Sequence, residues 1–199
     1  MAEIKSTEHY SATNTPEIVH TEAVHYLSAL GKGAPGSAEF YRKKTLVADL
    51  LKVLDAQIGF PIIEVQYWYP KGAESVNIAD FYTANPLSLL EYRILTKTSQ
   101  LLTKEKIEEI VSASSSSYKT SSDIDILEPF SIPAQTVIQV MHHGPFADEF
   151  STLADLEQYA EQNGVRRSGP HLEIHLDSFT AKTPQDNLRT ILRDPVRNI

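Results

Sequence analysis

The chain has 199 residues, 41% of them hydrophobic and 22% charged, the proportions of a globular protein long enough to bury a core. Lys and Arg number 18 against 26 Asp and Glu, and this formal net charge of −8 argues against nucleic acid as a partner, which calls for a clustered basic surface. With no Cys, disulfides, thiolate metal sites and thiol nucleophiles are excluded; with no basic-then-apolar opening and no apolar run near the roughly 20 residues of a membrane helix, a cytoplasmic protein without a membrane partner is expected.

Residues 1–19 are polar and aperiodic and include Thr13-Asn14-Thr15-Pro16, which predicts a flexible N-terminal arm. A strand follows over Ala23–Leu30, and the glycines at 31, 33 and 36 break it. From Ser37 the pattern turns helical: Phe40, Val47, Leu51, Leu54 and Ile58 share one face, and Gly59 ends the run. Pro61 opens a strand over Ile62–Tyr69, Lys71–Glu74 form a loop, and another strand is expected near Leu89–Leu95. Thr103 caps a short charged helix through Val111, and Ser112–Ser122, with seven serines, predicts a flexible connection.

The second half repeats this order. Thr136–His142 reads as a strand that His143-Gly144-Pro145 breaks. A helix carrying Phe146, Phe150, Leu153, Leu156 and Ala160 runs to Asn163-Gly164, a left-handed stop. Gly169-Pro170 opens the strand His171–Asp177, and Leu188–Leu192 returns as the last strand. Glu39-Phe40 matches Glu149-Phe150 at an offset of 110, Pro61-x-x-Glu64 matches Pro170-x-x-Glu173 at 109, and Gly33 matches Gly144 at 111. The expectation is an α+β fold of two pseudo-symmetric strand–helix–strand–strand modules, at about 20–97 and 123–199, joined through 98–122 into a single domain over 20–199.

Alternation along the paired strands then locates candidate chemistry. Ile63, Val65, Tyr67 and Tyr69 share one side, as do Leu172, Ile174 and Leu176, and these apolar sides are expected to meet the helices. The opposite sides carry Glu64, Gln66 and Trp68 in one copy and His171, Glu173, His175 and Asp177 in the other. Joined in one curved antiparallel sheet, they would line a ligand groove on the face away from the helices. A plain solvated surface has the same pattern, but the one Trp on the supposedly wet side and the recurrence of Glu in both copies favour a groove. His171, Glu173 and His175 also match the donor types of a divalent-metal site, yet strand H-x-E-x-H carries no loop geometry to support one, so neither metal nor cofactor is expected. Gly31-x-Gly33-x-x-Gly36 fits a dinucleotide fingerprint literally but lacks the parallel βαβ unit and the acidic strand end. Lys104–Glu109 reads as a solvated helix face, and Ser115 lacks a nucleophile-elbow context.

Three stretches carry a family resemblance: His25–Ser37, Val140–Glu149 with its H-x-G-P element, and above all Pro170–Leu176 followed by Thr183-Pro184 and Leu188–Val196. Together they resemble GyrI-like small-molecule-binding proteins, in particular the standalone two-module branch without a DNA-binding domain, over residues 20–197. The resemblance implies a groove between the modules, and relatives that are sensor domains of multidrug-responsive regulators, a gyrase inhibitor, or hydrolases that add water across the cyclopropane of alkylating natural products. By the same resemblance the groove glutamates fall on Glu173 and Glu64, and the family's paired tryptophans on Tyr67 and Trp68. The tyrosine usual two positions after the second glutamate is His175 here. The expected site therefore has Glu173, Glu64 and His175 as catalytic groups and Trp68, Gln66, His171, Tyr92 and Phe146 as ligand-binding groups. The expected partner is a small hydrophobic or aromatic molecule, cationic ones included, which is either hydrolysed or, alternatively, bound and sequestered without reaction.

Overall fold

The computed structural model describes residues 4–114 and 121–199. In chain order it contains β1 (Lys5–Ser6), β2 (Glu17–Thr21), β3 (Val24–Lys32), α1 (Ala38–Leu54), β4 (Ile63–Trp68), β5 (Glu91–Thr98), α2 (Lys104–Ala113), α3 (Ser121–Asp125), β6 (Leu127–Ile132), β7 (Gln135–His143), α4 (Glu149–Gln162), β8 (Val165–Arg167), β9 (His171–His175) and β10 (Arg189–Asn198). Of the expected flexible connection, residues 115–120 lie outside the described ones.

Local chemistry sets the helix limits. The Ser37 hydroxyl accepts from the Phe40 amide and starts α1, and Thr103 accepts from the Lys106 amide and starts α2. Helix α1 stops at Asp55, whose extended backbone (φ −135) turns the chain before Ile58 and Gly59. At the end of α4 the chain passes through Gly164 at φ +64, the left-handed conformation that glycine adopts without strain.

The strands form one curled sheet in the order β1-β2-β7-β10-β9-β4-β5-β3-β6, with β8 paired to β10. All pairs are antiparallel except β1 with β2. The duplicated connectivity is plain: β3-α1-β4-β5 gives the sheet order β4-β5-β3, and β7-α4-β9-β10 gives β9-β10-β7. The strand before each copy crosses to the other one, because β2 pairs with β7 and β6 pairs with β3. Sequence patterning left out β1, β2, β6 and β8. The N-terminal arm is a correction as well. Residues 5–7 run beside β2, and the Thr13 carbonyl accepts from the Met141 amide, so this segment is held by backbone pairing.

Both long helices lie on one face of the sheet. Phe40, Leu46, Val47 and Leu50 of α1 pack on Leu27, Ala29, Val65 and Ile94, while Leu153, Leu156 and Ala160 of α4 pack on Ile138, Val140 and Leu192. Helix α1 lies on β3 and β5, and α4 on β7 and β8, so each covers mainly the outer strands of its own module. The opposite face is buried too, by Tyr26, Leu95, Leu172, Ile174 and Ile191 with Tyr10 and Ala12 of the N-terminal segment against them.

The β4–β9 seam pairs Ile63 with His175, Val65 with Glu173 and Tyr67 with His171. Directly opposed residues in an antiparallel pair point to the same side. Glu173 and both histidines therefore share the helical face with Val65, whereas Glu64, Gln66 and Trp68 share the other face with Leu172 and Ile174. The groove expected on the helix-free face, with both glutamates in it, is thereby corrected. Matching the glutamates at an offset of 109 is one residue out of step with the faces, and a one-residue slip exchanges every side chain between sides.

One close approach fixes the packing of the first module. A Cβ at Gly31 would lie 2.1 Å from Cε2 of Tyr92, so the tyrosine ring occupies the space of the missing side chain and reaches Phe40 at 5.4 Å between ring centroids. Gly31→Ala is expected to cost about 1–3 kcal/mol of unfolding free energy by overpacking. A double-mutant cycle with Tyr92→Ala, followed by urea denaturation, should recover much of that loss as coupling between the two positions.

Candidate functional site

Because the helices sit over the outer strands, the seam of β4 and β9 is roofed by loops instead. The connection between β4 and β5 brings Phe81 and Tyr82 over it, and the connection between β9 and β10 brings Phe179 and Gln185. Between α1 and α4 this leaves a cavity of about 250 Å³. Its walls are mostly aromatic: Phe40 and Tyr41 from α1, Tyr67 from β4, Tyr82, Phe146 and Phe179. Besides its tyrosines, three ionisable groups enter this lining, Glu149, Glu173 and His175.

Glu173 is 5% exposed, and both of its carboxylate oxygens are engaged. The Tyr82 hydroxyl donates a short hydrogen bond to Oε1. His175 Nε2 lies 2.9 Å from Oε2; a carboxylate only accepts, so Nε2 carries the hydrogen. Beneath them His171 is fully buried against Phe81, with Nδ1 3.0 Å from Asp194 and Nε2 4.0 Å from Glu173 Oε1. Burial opposes ionisation of Glu173, but the hydrogen bond and charge of His175, the charge of His171 and the Tyr82 hydroxyl outweigh it and hold the carboxyl below the usual range. For His171, burial opposes the charge and Asp194 and Glu173 restore it, so its pKa is raised.

Glu149 behaves in the opposite way. It opens α4, is 4% exposed, and its Oε1 has no hydrogen-bond partner. Burial, followed by the negative charge of Glu173, raises its pKa well above the ordinary carboxyl value. The positive end of the α4 dipole favours the anion, but by only about 0.3–1 kcal/mol at a helix start. One apolar cavity thus holds two carboxyl groups whose surroundings push their pKa values in opposite directions. Tyr67 and Tyr82 remain neutral phenols, since burial and then Glu173 push both well above their ordinary pKa.

Of the expected site residues, the structure brings together Glu173, His175 and Phe146 in the cavity, with His171 directly beneath. Tyr92 is fully buried between Phe40 and Tyr67 as core. The others lie on the far side of the sheet. Glu64 is 0% exposed, accepts from Tyr26 at 2.9 Å, and is bound by His9 Nε2 at 2.8 Å. Arg193 in turn donates to the His9 carbonyl at 2.9 Å and to Gln139 at 2.8 Å, so this glutamate anchors the N-terminal segment. Gln66 borders a separate depression beside Phe130 and Leu172, and Trp68 donates to Glu91 at 2.7 Å, half-buried at the strand end. His142, in the H-x-G-P element, ties the turn to α4 through Thr152 at 2.8 Å and the Pro145 carbonyl at 3.1 Å. Among the described residues no cluster of three or more His, Asp or Glu side chains is arranged to hold a metal ion.

Glu149, Tyr82 and Phe179 escaped the sequence reading. A signal for Glu149 was present in the repeat. Its counterpart Glu39 has Arg42 and Lys43 three and four residues on and pairs with both, whereas Glu149 has Thr152 and Leu153 at those positions and no cation to meet. Tyr82 and Phe179 sit on irregular connections, where no periodicity points to them.

No curated protein matches the chain. Among solved structures the fold is shared with an uncharacterized conserved protein from Listeria innocua, 23% identical over 94% of this chain and 95% of that one at a TM-score of 0.74. A hydrolase from Listeria innocua is 21% identical over 94% of each chain at a TM-score of 0.71, and the EcmrR C-terminal domain is 14% identical over 93% of this chain and 98% of its own at 0.59. These identities establish the fold and nothing finer. Residues 94–197, which include α4, β9 and nearly all of β10, match the GyrI-like small molecule binding domain, and the chain belongs to that family.

Proposed function

We propose that the cavity between α1 and α4 binds a small, largely aromatic molecule and that Glu173 and Glu149 add water to it as general base and general acid. The observation that carries this reading is the pair of carboxyl groups in one aromatic cavity whose surroundings push their pKa values in opposite directions. Each oxygen of Glu173 accepts one protein donor and keeps a lone pair for a water molecule. The base is thus fixed in place and still able to take a proton. Tyr67, Phe146 and Phe179 offer ring faces and edges for a flat ligand. The substrate that fits is one whose strained ring supplies part of the driving force, such as a cyclopropane conjugated to an aromatic system, in line with the resemblance to the standalone branch and with a hydrolase among the proteins of this fold.

In the reaction the water oxygen bonds to a ring carbon while its proton passes to Glu173. The strained carbon–carbon bond breaks, its electron pair moves into the conjugated system, and the proton of Glu149 neutralises it. Water is consumed, and the two glutamates end with their protonation states exchanged, to be restored through solvent. His175, hydrogen-bonded to Glu173, and His171 beneath it keep the base ionised at the start.

The second reading, binding without reaction, is favoured by the family's description as a small-molecule-binding domain. Both readings predict binding of a cyclopropane-bearing aromatic probe by calorimetry. Mass spectrometry of the recovered probe separates them, since only hydrolysis adds one water. Glu173→Gln is expected to keep binding within a few-fold and to lower turnover by roughly 10²–10⁴. Unchanged turnover in that variant would remove Glu173 from the chemistry.

The pH profile has a definite sign. The base must be ionised, so turnover falls as pH drops through the Glu173 pKa, below the ordinary 4.5. The acid must be protonated, so turnover falls again as pH rises through the Glu149 pKa, well above 4.5. The expected result is a bell, and Glu149→Gln should lower its plateau and abolish the alkaline limb.

A further inference from the structure

A second cavity of about 470 Å³ lies behind Phe179, between α1 and the segments that flank the start of β4 and the end of β9. It shares Tyr41, His175 and Phe179 with the first cavity, and Phe60, Pro61 and Ile63 add apolar surface to its lining. Lys44 of α1 borders it. The neighbouring lysines of this helix pair with carboxylates, Lys43 with Glu39 at 3.4 Å and Lys52 with Asp49 at 3.6 Å. Lys44 instead donates to the Phe179 carbonyl at 2.7 Å and sits 3.0 Å from the centroid of the Phe179 ring.

We propose that this second cavity captures small aromatic aldehydes, with Lys44 forming a Schiff base to their carbonyl carbon. The step balances without a redox partner. The Nζ lone pair bonds to the carbonyl carbon, the carbonyl electron pair takes up a proton to give a carbinolamine, and loss of water leaves the imine. Three features meet at this lysine. Its side chain borders an open space, and its amine makes one hydrogen bond, to a carbonyl acceptor. Apolar walls accommodate the body of the aldehyde. His175 borders the same space, and its buried Nδ1, which has no hydrogen-bond partner, can hydrogen-bond to the carbinolamine hydroxyl.

The charge state agrees with this assignment. Burial lowers the Lys44 pKa to about 7, so a large part of the amine is nucleophilic at neutral pH, as in lysines activated by an apolar pocket. The face of the Phe179 ring attracts a cation but replaces only part of the hydration that is lost. The charged groups facing the cavity are Asp49 and Lys52 from α1, which pair with each other, Asp177, which is held by Arg189 at 2.8 Å, and His175.

The test uses the full chain with 2-naphthaldehyde and sodium cyanoborohydride, followed by peptide mass mapping of every lysine at a series of pH values. Lys44 is expected to be labelled at least about tenfold faster than Lys52 at pH 7, with a rate that reaches half its maximum near that pH. Lys44→Met should remove the fast label from the map. Labelling that follows solvent exposure, with Lys44 no faster than Lys52, or a Lys44 rate still climbing toward the ordinary 10.5, overturns the proposal. Because the label is read residue by residue, the result does not depend on the role given to Glu173.

Discussion

The site depends on the antiparallel register between β4 and β9. Pairing Val65 with Glu173 sets a carboxylate and two imidazoles into the face that both long helices share, at the seam those helices leave to the loops. Shifted by one residue, the pairing would bring Leu172 and Ile174 to this face and turn Glu173 toward Tyr26 and Leu95. Register here is strongly specified, because both faces of β9 are buried and neither tolerates the other's side chains.

From that register the electrostatics follow. A buried carboxylate is costly unless it is hydrogen-bonded and compensated. Glu173 has His175, Tyr82 and, beneath them, the His171–Asp194 pair. Glu149 has none of these and faces a negative charge as well, so burial and that charge raise its pKa. The two helix starts differ in the same way: Glu39 has cations at i+3 and i+4 and pairs with both, whereas Glu149 has Thr152 and Leu153 there and lies in the cavity wall. Glu64, the other glutamate suggested by the repeat, took a structural role in fastening His9 and the N-terminal segment through Arg193.

Much of the fold was legible in the sequence. The helix start at Ser37, the cap at Thr103, the glycine stop after α4 and the buried helix positions Phe40, Val47, Leu51, Leu153, Leu156 and Ala160 are local signals, and the repeat gave the module connectivity. What stayed hidden was non-local. Alternation says that Leu172, Ile174 and Leu176 share a side but not which layer covers it, and here a curled sheet and the N-terminal segment cover it in place of a helix. The arm looked unstructured because its partners, Glu64, Arg193 and Met141, are far away in sequence. In the site, Glu173, His175 and Phe146 were legible from pattern and resemblance, while Tyr82 and Phe179 become visible only when the connections fold over the seam.

The central claim is that two glutamates in one cavity hold opposite charge states before any ligand binds. Infrared difference spectroscopy between the wild-type protein and its Glu149→Gln and Glu173→Gln variants reads this directly at neutral pH. The account predicts that Glu149→Gln removes the carbonyl stretch of a protonated carboxyl and that Glu173→Gln removes a carboxylate band. Two carboxylate bands and no protonated carboxyl would contradict it.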